Sequence, residues 1–480
     1  MPNALAMLML MIWPIACIVL MKRLPLERGL IWCILGGYLL LPPVANFDLP
    51  LIPPMDKDSI PSVMAFLLAV LMLHRKVPLM PQSAAGKVLV LMFLLGTIPT
   101  VLTNGEPVTY SNEWGESYTV QGLRVHDILS VMVGQAIVLL PFLLGRALLG
   151  TEKGLRELLL ATMVGGLIYT IPSLIEIRLS PQINVWVYGF FQHSFEQMMR
   201  EGGFRPIVFL PHGLWLAIFM FSALISCAAL TRYADPKIKT KMIMATIYLA
   251  GVLYLCKSLA SQIYAISFLP LVLFTSPKIQ IRVAFLLAAT AVLYPMLRNA
   301  GLIPLDSILA WASDISQERA ASLLYRINNE EILLARAHDK LLFGWGGWGR
   351  NLMLDPASGR VLTVPDGRWI IVFGTFGWLG YIAEMGLLAL PLVLLWRRSR
   401  SGAVSIFAAP VALIIAATMV DMLLNATLVP LTWLCAGAVL GHAENPRLAS
   451  TTEPREATPG FFGKGPVIGR RRPRGRRTVL

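Results

Sequence analysis

IVFLPHGLWLAIFMFSALISCAAL, residues 207–230, runs for 24 positions without an Asp, Glu, Lys or Arg. A helix of that length reaches roughly 36 Å at ~1.5 Å per residue, more than the ~30 Å hydrocarbon core of a bilayer. Hydrocarbon offers backbone amides no partner, so such a stretch must bond internally as a helix. It predicts a membrane span. Working outward, apolar runs recur at 3–21, 29–45, 59–74, 87–103, 127–149, 157–177 and 242–256. Further runs lie at 262–276, 283–298, 369–395, 403–421 and 425–442.

The whole chain agrees with this stretch. Hydrophobic residues make up 56% and charged residues 14%, where a soluble domain carries about 25% charged. Mean hydropathy is +0.67. The expected fold is all-α: a polytopic transmembrane bundle of about thirteen spans. It occupies residues 1–443, with a large extracytoplasmic loop at 299–368 containing interfacial helices. The first run lacks an A-x-A cleavage site and reads as an anchor rather than a removed signal.

Basic residues orient the chain. Lys22, Arg23 and Arg28 follow the first run, and Arg75, Lys76 and Lys87 lie between the third and fourth. Lys153 and Arg156 follow the fifth; Arg232, Lys237, Lys239 and Lys241 follow the seventh. Lys278 and Arg282 follow the ninth, and Arg397, Arg398 and Arg400 the eleventh. The positive-inside rule puts these in the cytoplasm, with the N-terminus outside. The segment 444–480, ending in GRRRPRGRR at 469–477, is polar and too basic to fold alone. It reads as a disordered cytoplasmic tail attracted to anionic lipid rather than to nucleic acid. The formal charge of +14 owes much to it.

The five cysteines, Cys17, Cys33, Cys227, Cys256 and Cys435, all fall in apolar runs. None has metal or CxxC spacing, and six scattered histidines form no metal motif. Neither a metal nor another cofactor is expected.

Chemistry gathers in the outer loops. These are NFDLPLIPPMDKD (46–58), NGEPVTYSNEWGESYTVQGLRVH (104–126), EIRLSPQINVWVYGFFQHSFEQMMREGGFRP (176–206) and 299–368. The third mixes Arg178, Arg200 and Arg205 with aromatic residues and His193. Guanidinium forks grip phosphate oxygens and aromatic faces cover sugar rings, while an interfacial aromatic belt accounts for the same residues structurally. Glu176 and Arg178 form either a structural ion pair or a base and phosphate clamp. Lys257 interrupts YLCKSLASQIY at the outer end of a span, snorkelling or facing a phosphate. DISQERAASLLYRINNEEILLARAHDK (314–340) has an apolar stripe of Leu323, Leu324, Ile327 and Leu334. Arg319, Arg326 and Glu330 share another face, as in a helix lying on the membrane surface.

FGWGGWGRN at 343–351 alternates glycines with Trp345 and Trp348 and ends in Arg350 and Asn351. It lacks the GK[ST] of a phosphate-binding P-loop. DGRW at 366–369 places Asp366 and Arg368 at the mouth of the following span. Asp421 and Asn425 read as turn and capping residues.

At these loops the chain resembles the O-antigen ligase and polysaccharide polymerase superfamily of multi-span membrane glycosyltransferases. LIPPMDKDS, EIRLSPQ with GGFRPIVFLPHG, and the region from YRINNEEILLARAHDKLLFGWGGWGRN to DGRWIIVFGTFGWLGYIAEMGLL carry the likeness over residues 40–440. A glycine turn at Phe343–Gly349, followed by Gly374, Gly377 and Gly380, matches the family pattern. The ligases typically carry a His-Asn pair at the start of the next helix, where this chain has Asp366-Gly367.

The resemblance implies metal-independent glycosyl transfer on the outer face of a bacterial inner membrane. The donor would be an undecaprenyl-diphosphate-linked oligosaccharide and the acceptor a sugar or glycolipid. Membrane lipids, a polysaccharide flippase and export proteins are the other expected partners. Asp366 is the expected base, with Glu176 and His338 as further catalytic candidates. Arg178, Arg205, Lys257, Arg326 and Arg350 are expected to bind substrate. The Asp366-Gly367 departure favours a polymerase-like role. A permease or exporter, and a non-catalytic subunit of an export complex, remain alternatives.

Overall fold

The computed structural model describes residues 1–48, 53–200, 202–402 and 404–445. The basic segment expected to form a tail therefore lies outside the described residues from 446 onward. Its expected start needs one correction. Glu444 is the last residue of a helix, and its carboxylate accepts from the backbone amides of Gln82 and Ser83 at 3.0 and 2.9 Å.

The chain is mainly helical. α1 (Ala4–Arg23), α2 (Leu26–Leu40) and α3 (Ser59–Leu67, extended by a wider turn to Met72) come first. α4 (Ala84–Leu95), α5 (Thr97–Leu102), α6 (Asp127–Leu148), α7 (Glu152–Leu179) and the short α8 (Ile183–Tyr188) follow. Next are α9 (Gly213–Arg232), α10 (Pro236–Leu255), α11 (Leu259–Phe274) and α12 (Pro277–Asn299). α13 (Leu305–Ile315) and α14 (Gln317–His338) lie in the expected large loop. α15 (Arg368–Ser401), α16 (Ala408–Asp421) and α17 (Pro430–Glu444) complete the chain. Two small hairpins, β1 (Val108–Ser111) with β2 (Ser117–Val120) and β3 (Met199–Arg200) with β4 (Gly203–Phe204), decorate the loops.

A helix occupies each of the thirteen expected runs. Among the described residues, eight helical stretches are long and apolar enough to cross a membrane, the pattern of a multi-pass membrane protein. The other five runs hold α2, α3, α11, α16 and α17, of 16 residues or fewer. A straight span needs ~20 residues, so by length and composition eight helical stretches, and not thirteen, are candidate crossings.

α9, the stretch that opened the sequence reading, is the most enclosed of those eight: 89% of its apolar window is buried. A helix that is apolar all round must be surrounded, and α7, α10, α11 and α16 pack around it.

Side-chain contacts sort the connecting segments into two ends. At one end Arg28 pairs with Glu157 at 2.6 Å and Lys153 with Glu27 at 3.2 Å. Arg146 donates to the Pro78 carbonyl, Arg232 to that of Thr275, and Arg398 to that of His442. At the other end Tyr188 donates to the Leu40 carbonyl at 2.5 Å, Lys57 to Phe209 at 2.7 Å, and Arg326 to Leu424 at 3.0 Å. The loops expected to carry chemistry share this second end.

α15 is broken at Gly377, whose φ of 63° and ψ of −160° lie outside helical geometry. The break strands helix amides and carbonyls, and the glycine-rich turn takes them up. Trp345 and Gly346 N–H donate to the Gly374 and Thr375 carbonyls at 2.9 and 2.8 Å. Trp378 and Leu379 N–H donate to the Leu341 and Leu342 carbonyls at 2.8 and 3.2 Å. A Cβ on Gly377 would lie 2.4 Å from the Leu342 carbonyl carbon. The glycines thus serve a backbone splice between two distant segments.

Candidate functional site

The site begins with a buried carboxylate near the end of α7. Glu176 is fully enclosed and accepts from the amides of Ile183, Ile207 and Val208 at 3.1, 2.7 and 2.8 Å. Three donors replace the hydration that a buried anion loses. They pin the segment just after Arg205 against α7. The Arg205 amide also donates to Met198 O at 2.7 Å, closing the β3–β4 hairpin region.

Arg205 then lies along the start of α9. Gly213 makes this approach possible, because a Cβ there would sit 2.3 Å from Arg205 Cδ. The Arg205 guanidinium donates to Lys257 O at 2.9 Å, and Lys257 Nζ donates back to Arg200 O at 2.7 Å. Lys257 adopts φ +51°, a left-handed turn that joins α10 to α11.

These residues open onto a cavity of about 220 Å³. Arg200, Arg205, Lys257, Arg319 and Arg326 line it, with Glu318 as the acidic member of the lining. Glu318 pairs with Arg200. Leu214, Leu259, Ile308, Trp311 and Leu323 supply apolar wall. The Nε groups of Arg200 and Arg205 are buried without a hydrogen-bond partner. Burial, and then the positive charge of Arg200 and Arg326, brings the Arg205 guanidinium down to about 10. It still carries its charge at neutral pH. Cations that repel one another in a half-enclosed space create a potential favouring an anion.

Arg326 links this cavity to its neighbours. One guanidinium nitrogen donates to Leu424 O at 3.0 Å and Asn425 Oδ1 at 2.8 Å, and Nε lies 3.5 Å from Asp366 Oδ2. Burial raises the Asp366 carboxyl above its ordinary range, opposed by the positive charge of Arg326 and by His193. His193 packs edge-on against His212 with ring centroids 4.5 Å apart. Burial, helped by His193 and by Arg205, Arg326 and Arg200, depresses His212 to about 2 and keeps it neutral.

The structure therefore brings together Arg205, Lys257, Arg326 and Asp366. It places the other sequence candidates elsewhere. Arg178 is exposed in the last turn of α7 and does not line the cavity; it makes no pair with Glu176. Glu176 spends its carboxylate on backbone amides. His338 is exposed at the end of α14. Arg350 is 1% exposed and donates to the carbonyls of Trp345, Gln121 and Glu106 at 3.2, 2.8 and 2.9 Å. Its guanidinium braces the glycine turn against the 104–126 loop.

Sequence reasoning grouped Arg200 with the phosphate-gripping arginines of its loop without choosing it as a binding residue, and left Arg319, Glu318 and Asn425 out of the site. Arg319 and Arg326 stand seven residues apart on one helical face, a spacing that marks them as neighbours. Asn425 had the signature of a turn residue and does cap one: its amide donates to Asp421 at 3.1 Å while its oxygen holds Arg326. No family model matches the chain, and no curated protein matches it.

Proposed function

We propose that this chain is a bacterial inner-membrane glycosyltransferase of the O-antigen ligase and polymerase type. It moves a glycan from an undecaprenyl diphosphate carrier to a sugar acceptor outside the cytoplasm. The observation that carries the reading is the union of five cations with an apolar wall at one end of an apolar helical bundle. A lipid-linked diphosphate offers the matching chemistry: anionic oxygens for the guanidinium forks and a hydrocarbon tail for the wall. In this reading all thirteen helical runs cross the membrane, the cationic end is extracytoplasmic, and the C-terminus is cytoplasmic.

Arg205, Lys257 and Arg326 hold the diphosphate and stabilise the charge that grows on it as it leaves. The acceptor hydroxyl oxygen attacks the anomeric carbon, and the bond from that carbon to the phosphate oxygen breaks. The electron pair departs with the carrier diphosphate. Asp366 takes the hydroxyl proton, a role suited to a carboxylate of raised basicity. Arg326, 3.5 Å away, couples the base to the phosphate site. Asp366-Gly367 stands where ligases carry His-Asn, which favours polymerisation of repeats over ligation to a lipid core.

Purified protein in lipid vesicles, supplied with an undecaprenyl-diphosphate-linked repeat, tests this. Elongation without any ion gradient is the expected outcome. Gradient-driven uptake without elongation would assign the chain to transport instead. Undiminished elongation by folded R205A and R326A variants would remove the site.

A further inference from the structure

The end of the bundle opposite the cationic cavity carries a second basic cluster, where the start of α12 meets the last turns of α15. Arg232 reaches the Thr275 carbonyl just before α12, and Arg398 of α15 reaches the His442 carbonyl, so both helix ends lie on the side of Arg28 and Lys153. α12 leaves this end as α15 arrives. The two helices pack together. Their rings mark a common level: Phe285 and Trp396 stack face to face, with centroids 4.4 Å apart and planes within 5°.

Helical spacing places four cations beyond that stack. Lys278, Arg282 and Phe285 stand at i, i+4 and i+7 on α12, and Trp396, Arg397 and Arg400 at i, i+1 and i+4 on α15. Arg282 therefore lies about one turn past Phe285, and Arg400 about one turn past Trp396, both toward the same end. Arg400 covers the Trp396 ring at 5.3 Å. All four cations are exposed. Among the described residues no carboxylate pairs with any of them. Four acidic side chains of this end are spent elsewhere: Glu157 on Arg28, Glu27 on Lys153, Asp235 on the Lys237 amide and Glu444 on Gln82 and Ser83. Beside the cations, Ile279, Leu286 and Leu293, spaced seven apart, stay exposed as an apolar stripe along α12.

We propose that this groove holds one anionic phospholipid, its phosphodiester between the α12 and α15 cations and an acyl chain along the α12 stripe. The Phe285–Trp396 stack forms the floor. Guanidinium forks and a phosphodiester make charge-assisted hydrogen bonds, and basic pockets between spans recognise acidic headgroups. A zwitterionic lipid brings its own ammonium, which these cations repel. Free phosphate offers nothing to the apolar stripe. The site stands apart from the transfer reading: it requires only that these helices sit in a bilayer.

Full-length protein, delipidated in a neutral detergent and titrated with phosphatidylglycerol or phosphatidylcholine, yields the affinity of the first bound lipid by native mass spectrometry. The parent is expected to hold its first phosphatidylglycerol about tenfold more tightly than phosphatidylcholine, and inorganic phosphate is expected not to displace it. Arg282→Gln combined with Arg400→Gln weakens that first phosphatidylglycerol about tenfold, and R282K with R400K restores most of the affinity. Lys237→Gln combined with Lys239→Gln removes the same charge from the exposed start of α10, which packs on α7 and α9 instead. This control stays within about twofold of the parent. Should R282Q/R400Q not fold, K278Q/R397Q removes the other cation of each helix and gives a comparable loss. Equal loss in the groove and control variants assigns the preference to diffuse surface charge and overturns the proposal. So does a parent that does not distinguish the two lipids, or displacement of the lipid by inorganic phosphate.

Discussion

Arg326 Nε lies 3.5 Å from the carboxylate of Asp366, although the two stand forty positions apart in the chain. One side chain thereby belongs both to the cationic cavity and to the surroundings of the candidate base. Charge-assisted hydrogen bonds contribute about 1.5–3 kcal/mol. R326A and R205A are each expected to lower the elongation rate roughly 10- to 100-fold, at ~1.4 kcal/mol per tenfold. R178A, exposed and outside the cavity lining, is expected to stay within about twofold of the parent. Rates with a purified lipid-linked repeat check all three.

Asp366 sets a pH dependence whose sign is fixed. Burial raises its carboxyl above the usual aspartate range. A base works only when deprotonated, so activity climbs as pH rises through that raised value. For stability the sign is opposite. A raised folded-state pKa contributes stability below the unfolded value, and this is lost as pH rises through the folded one. D366N is expected to remove the acidic limb of the rate profile together with most of the activity. A rate–pH profile that keeps its acidic limb in D366N would assign the base elsewhere.

Glu318 occupies the cationic cavity as a built-in counter-ion to Arg200. E318Q releases that guanidinium for an external anion. Octyl phosphate is expected to protect a Ser322→Cys variant, on the wall of that cavity, from maleimide alkylation at up to about 5-fold lower concentration, the effect of relieving one exposed ion pair of at most ~1 kcal/mol. Weaker protection would mean that Glu318 helps to organise the cavity.

E176Q presents an amide NH₂ to amide donors that need acceptors. Leaving such buried groups unsatisfied costs about 1–3 kcal/mol each. Thermal unfolding in nanodiscs is expected to shift downward by several degrees, and the Arg205 segment to become more open to proteolysis. An unchanged melting profile would remove Glu176 from its anchoring role.

G377A meets two obstacles at once: a backbone conformation reserved for glycine and a Cβ 2.4 Å from the Leu342 carbonyl carbon. It is expected to destabilise the protein by about 2 kcal/mol or more, or to prevent insertion altogether. Near-parental stability of G377A would show that the splice can relax.

Much of this molecule is written locally. Apolar runs such as 207–230 specify helices in hydrocarbon because no backbone group can go unpaired there, so the positions of the helical runs follow from composition alone. The stripe on 314–340 likewise foretold α14, with Arg319 and Arg326 sharing a face. Tertiary structure decided which ends meet. Glu176 and Arg178 look like a pair in sequence, but a helix turns them to different sides, one into backbone amides and one outward. Arg350 looks like a ligand-binding arginine until the 104–126 loop folds over it. Arg205, Lys257, Arg326 and Asp366 converge only because the start of α9, the α10–α11 turn, the middle of α14 and the start of α15 meet in one place. Helix formation is settled over a few residues of chain. Charge convergence depends on packing between segments forty to more than a hundred residues apart.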